Sequence, residues 1–198
     1  HFRFLKMKAD VAHVTPKMTI PSPAVLHFRG GRKAIAKEVY PDLDGFFEDL
    51  GKTYRKAIRA FYDAGCRYLQ LDDTVWAYLC SQDELAKVRA RGEEADGLQD
   101  IYKRVINYAI AERPSDMVIT THVCRGNFRS TWISSGGYEP VAEMLRVRAQ
   151  CAFERGTFLA RERAEQPAFV VTSERHHVEV QAPARRAQAE HRAALVRR

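Results

Sequence analysis

Apolar residues recur along the chain with two different periods. Between Pro41 and Gly65, Phe47, Leu50, Tyr54, Ile58 and Phe61 return every three or four residues, with Lys52, Arg55, Lys56 and Arg59 between them. That spacing predicts an amphipathic helix with Asp44 near its start and Gly65 as its stop. Leu98, Ile101, Val105 and Tyr108 or Ala109 form a second stripe within 97–111, closed by Pro114. Three shorter apolar runs read as strands: Lys17 to Ile20, stopped by Pro21, Ser22 and Pro23; Cys66 to Leu71, ending in Asp72 and Asp73; and Met117 to Thr121, running into His122 and Cys124. Gly30 and Gly31 mark a turn. Residues 74–91 are mixed, with Trp76, Tyr78 and Leu79 before a charged stretch that predicts a short helix.

Strand, helix, strand, helix, strand is the rhythm of an α/β protein whose parallel sheet is covered by helices. Each strand ends in polar or turn-forming residues. In a (β/α)8 barrel, chemistry gathers at the carboxyl ends of strands, where side chains distant in sequence converge. The pattern supports fewer strands than a barrel needs, so the expected fold is a partial (β/α)8 TIM barrel over residues 1–144.

Beyond Met144 the amino-acid usage changes. Residues 145–198 contain 11 Arg and 11 Ala but no Lys, Asp, Asn, Tyr or Trp, whereas residues 1–144 contain nine Lys. This atypical tail is expected to be a frame-shifted or poorly folding extension, with a solvated Arg/Ala helix as the alternative, both residues being strong helix formers. The formal charge of +7 follows the same boundary: 21 Lys+Arg against 19 Asp+Glu up to residue 144, then 11 against 6. Basic charge concentrated in a stretch without Tyr or Trp to stack on bases argues against nucleic acid as a partner.

No apolar run reaches the roughly 18 to 20 residues of a membrane span, and no signal-peptide pattern opens the chain, so a cytoplasmic protein with no membrane partner is expected. The four cysteines, at 66, 80, 124 and 151, are too dispersed for a secreted disulfide scaffold, which leaves reduced thiols or metal ligands. The chain opens at His1 inside what reads as a folded element, so a fragment of a longer protein is expected.

His122 and Cys124 flank one residue, which puts both side chains on one side of an extended chain. Imidazole and thiolate are ligand types that zinc prefers. They are also short of the three protein ligands a catalytic zinc normally takes, and a packed cysteine beside a surface histidine fits the same letters. On alternation, one of Asp72 and Asp73 faces the strand-end pocket and the other the helices. A carboxylate there could hold an ammonium group through a charge-assisted hydrogen bond, or the pair could cap the following helix. Phe28 and Trp76 either stack on a planar ligand or belong to the core.

Taken in this order, VTPKMTIPSP, YLQLDD and TTHVCRGN resemble the carboxyl-terminal catalytic domain of cobalamin-independent methionine synthase, and more closely its shorter single-domain bacterial relatives. The resemblance runs from about His1 to Met144. It implies a Zn2+-dependent methyl transfer from 5-methyltetrahydrofolate, or its polyglutamate, to homocysteine, giving methionine. On the same resemblance His122 and Cys124 are two zinc ligands, Asp72 holds the amino group of the amino-acid substrate, and Phe28 falls near an aromatic residue that stacks on the pterin. The family's remaining ligands, a Glu on the next strand and a later Cys, belong beyond Met144. Cys151, Glu154 and Glu162 stand there without strand-like context, and the catalytic acid has no assigned position. Two other readings remain: a related barrel enzyme with a different substrate, and a non-catalytic remnant whose basic tail binds nucleic acid or membrane surfaces.

Overall fold

The computed structural model describes residues 1–126 and 133–142, together with the backbone of 171–173. Its elements run α1 (Phe2–Val11), β1 (Lys17–Pro21), α2 (Pro23–Phe28), α3 (Leu43–Asp63), β2 (Tyr68–Asp72), α4 (Val75–Leu79), α5 (Gln82–Ala90), α6 (Leu98–Ile110), β3 (Val118–Val123) and β4 (Val171–Ser173).

The two long helices form where the apolar stripes predict them. α3 begins at Asp42, whose carboxylate accepts from the Gly45 N–H at 3.0 Å. It ends in a Schellman turn: Gly65 at φ +93 sends its N–H to Tyr62, and the Cys66 N–H reaches Phe61. Phe47, Leu50, Tyr54 and Ile58 face inward, as do Leu98, Tyr102, Val105, Ile106 and Ala109 of α6. α3 and α6 pack closely at Gly51, where an added Cβ would lie 2.9 Å from the Tyr108 ring.

Two helices lie outside the predicted pattern. α1 precedes the first strand. α2 is a single short turn-and-a-half whose start is set by Ser22 as cap and Pro23 at its first position. The mixed stretch 74–91 resolves into α4 and α5, broken at Cys80 and Ser81.

The strands form a parallel sheet in the order β1-β2-β3-β4. Parallel pairing places Met18, Leu69 and Ile119 in one row and Ile20, Leu71 and Thr121 in another. Leu69, Leu71 and Ile119 are fully buried in the same core cluster as α3 and α6, so these rows form the helix-facing side. Burying each such side chain contributes about 2 kcal/mol. β4 falls inside the stretch expected to be an atypical tail, at the end of the aromatic and β-branched run Phe169 to Thr172, which lies outside the three predicted strands. Its backbone pairs Val171, Thr172 and Ser173 with Thr121, His122 and Val123. Among the described residues, then, the expected parallel sheet with covering helices is present, and β1 is an edge.

Candidate functional site

Because strand residues alternate, the side opposite the helices carries Thr19, Gln70 and Thr120 in one row and Pro21, Asp72 and His122 in the next. Asp72 and His122 are register partners on neighbouring strands. Cys124 is two residues beyond His122 and one past the end of β3. All three are partly exposed. The fold thus brings a carboxylate, an imidazole and a thiol to one edge from sequence positions about 50 residues apart.

The two aspartates part company. Asp72 accepts from the Gln70 amide at 2.8 Å. Asp73 is fully buried, and its Oδ2 accepts from Ser22 Oγ and from Trp76 Nε1, each at 2.7 Å. Its N–H donates to the His122 carbonyl, and the Ser22 N–H donates to the Asp72 carbonyl. Asp73 therefore ties the ends of β1, β2 and β3 to the start of α4, beneath the residues of the open side. Neither aspartate caps α4, whose N-cap is Thr74 with no side-chain cap hydrogen bond. The helix-capping alternative for this pair falls for that reason.

The aromatic candidates lie in the core. Trp76 is fully buried and committed to Asp73. Phe28, 4% exposed, stacks on Tyr78 with centroids 5.5 Å apart, and the Arg91 guanidinium sits 5.8 Å from its centroid. Little of its ring is left for a planar ligand.

Around Cys124 the surroundings are mixed in charge. Arg125 lies over the Tyr138 ring at 5.7 Å, and its carbonyl accepts the N–H groups of Ile133 and Ser134. Burial raises the Tyr138 hydroxyl pKa, Arg125 opposes the rise, and Cys124 and Cys80 add to it. Burial pushes the nearby Cys80 thiol up to about 11.

As for a metal, His122 and Cys124 form a nitrogen and sulfur donor pair of the kind zinc takes. Among the described residues no group of three or more His, Cys, Asp or Glu side chains is placed to hold an ion. Cys151, Glu154 and Glu162 lie outside the described residues. The residue that sequence reasoning passed over is Gln70. Its signal was there: a polar side chain at the alternate position of an otherwise apolar strand, LQLDD.

A parallel sheet whose neighbouring strand ends carry Asp72 and His122, with Cys124 just beyond, defines an α/β protein with a candidate site at the strand ends. Comparison narrows that class. A crystal structure from Listeria monocytogenes, of a protein proposed to be a vitamin-B12-independent methionine synthase, is 50% identical with a TM-score of 0.53, covering 64% of this chain and 36% of its own. Two uncharacterized proteins of Bacillus subtilis strain 168 are also similar. YxjH is 53% identical over 133 residues, 67% of this chain and 34% of its own length. YxjG is 52% identical over 131 residues, 66% of this chain and 34% of its own length. No family model matches. The chain spans about a third of the length of the curated relatives it matches. The likeness is to a methionine-synthase-like fold and suggests an enzyme. Among the described residues no helix is long and apolar enough to cross a membrane.

Proposed function

We propose that the chain is part of a (β/α)8 barrel enzyme that transfers a methyl group to a thiol, in the manner of cobalamin-independent methionine synthase. The observation that carries the reading is the register of Asp72 with His122, with Cys124 one residue past the end of β3. Over 64% of its length the chain is half identical to the Listeria protein, which supports the same reading. In this reading 5-methyltetrahydrofolate or its polyglutamate is the donor and homocysteine the acceptor.

His122 and Cys124 would supply one nitrogen and one sulfur ligand to a zinc ion. Such an ion would act as a Lewis acid that lowers the pKa of a substrate thiol toward neutral pH. Asp72, one strand over, offers its carboxylate to the α-ammonium group of the same substrate. The spacing of adjacent parallel strands, about 4.8 Å, lets one small amino acid reach both groups. Asp73, Ser22 and Trp76 hold the strand ends in place without touching substrate.

Zinc per chain, measured by mass spectrometry on this chain and on the longer YxjH in parallel, tests the reading. One equivalent in YxjH is expected. In this chain Cys124→Ser and His122→Ala should each remove whatever zinc the native chain retains. Absence of zinc from YxjH, or zinc in this chain indifferent to Cys124→Ser, would count against it.

A further inference from the structure

We infer that Gln70 is a positioning residue for Asp72, and that through it the site selects thiols that also carry an α-amino group. The inference rests on the reading above, in which Asp72 receives an ammonium group.

A glutamine is out of place at this position unless it has work there. β2 is flanked by β1 and β3, and strands inside parallel sheets normally run apolar on both faces. Gln70 is 9% exposed, and a buried primary amide is costly unless it is hydrogen-bonded. The bond it makes is to Asp72 Oδ1 at 2.8 Å, two residues along the same strand and on the same side. Residues so spaced have Cα atoms about 6.6 Å apart, a gap that glutamine spans and asparagine, one methylene shorter, does not. The amide must present its nitrogen, because its oxygen would set two acceptors against each other.

The chemistry of the donor matters as well. A lysine or arginine in this place would neutralise Asp72 and occupy the charge that an incoming ammonium must satisfy. A neutral amide fixes the carboxylate while leaving its charge, and acceptor positions on its oxygens, for the ligand. Beside Gln70 in register stands Thr120, 1% exposed, whose hydroxyl has no hydrogen-bond partner among the described residues. It adds a second polar group to the row beneath Asp72 and His122.

The test compares binding of homocysteine and of its desamino analogue 4-sulfanylbutanoate to the full chain in the presence of zinc, by calorimetry. Native chain should prefer homocysteine, and Asp72→Asn should abolish the preference. Gln70→Met should reduce it about tenfold, the loss of one hydrogen bond to a charged group. Binding of the desamino analogue should stay within about twofold, and Gln70→Met should add nothing in the Asp72→Asn background. Gln70→Asn, too short to bridge, should repeat the Gln70→Met result and serves if that variant does not fold. If the native chain prefers homocysteine and both folded Gln70 variants keep that preference, the positioning role is overturned while the function stands. If the native chain shows no preference, the role of Asp72 falls and this inference with it.

Discussion

Replacing Asp73 by Ala tests whether one buried carboxylate holds the strand ends together. Its Oδ2 accepts two bonds of 2.7 Å, from Ser22 and from Trp76, and all three residues are fully buried. Removing the carboxylate strands both donors away from water. Each orphaned donor costs about 1–3 kcal/mol, so the expected loss for the two is about 2–6 kcal/mol. Against the roughly 5–15 kcal/mol that stabilises an ordinary domain, this is a large fraction. Asp73→Asn keeps one acceptor oxygen and brings an amide that neither donor can use, so it should cost about half as much. Urea unfolding followed by far-UV circular dichroism measures both, with the midpoint shifting at constant slope. A loss below about 1 kcal/mol for Asp73→Ala would refute the assignment. So would strict additivity with Ser22→Ala, because bonded partners should show a coupling of about 1–2 kcal/mol.

Other consequences can be measured on the same chain. His27 is 1% exposed, its Nδ1 is 2.7 Å from the Tyr102 hydroxyl, and burial lowers its pKa, with nearby Arg91 lowering it further and Glu93 opposing. The native state therefore refuses a proton that the unfolded chain accepts below about pH 6.5. Stability should fall on acidification from that point, by up to about 1.4 kcal/mol per pH unit, until the lower native pKa is reached. Urea midpoints between pH 8 and 5 should show a component that His27→Gln removes. Gly97 and Gly136 both have positive φ, +81 and +101, but only at Gly136 would a Cβ meet a backbone atom, 2.9 Å from the Cys80 carbonyl oxygen. Gly97→Ala should thus cost about 1 kcal/mol of backbone strain and Gly136→Ala distinctly more, a ranking that thermal melts would check.

The long elements were legible because their signals are redundant. α3 has a stripe and a glycine stop that agree, and β1 and β2 end where prolines or aspartates make continuation costly, while β3 ends shortly before the turn at Gly126. α2 was hidden because PSPAVL carries turn-forming residues, and six residues are too few to show a helical period. α1 was missed although its Phe2 and Ala9 face inward, since Phe4, Met7 and Val11 are exposed and blur the pattern. At the site, alternation showed that Asp72 and Asp73 point opposite ways. Only the packing could say which is buried, because that depends on Ser22 and Trp76, about 50 residues apart. The strand Val171–Ser173 was passed over because the change in residue usage past Met144 put the whole stretch into one tail, although Phe169 to Thr172 is an aromatic and β-branched run; its place is set by pairing with β3.

The division of the sheet into two unlike sides has a consequence for how this chain can change. Sliding a strand by one residue would swing every side chain to the other face, and the apolar rows Met18–Leu69–Ile119 and Ile20–Leu71 make that slip prohibitive. The address of His122 and Cys124 is therefore written in residues that never meet a ligand. Substitutions on the open side leave that address intact. The sheet can exchange one set of reactive groups for another, by selection or by design, without first having to learn again how to fold.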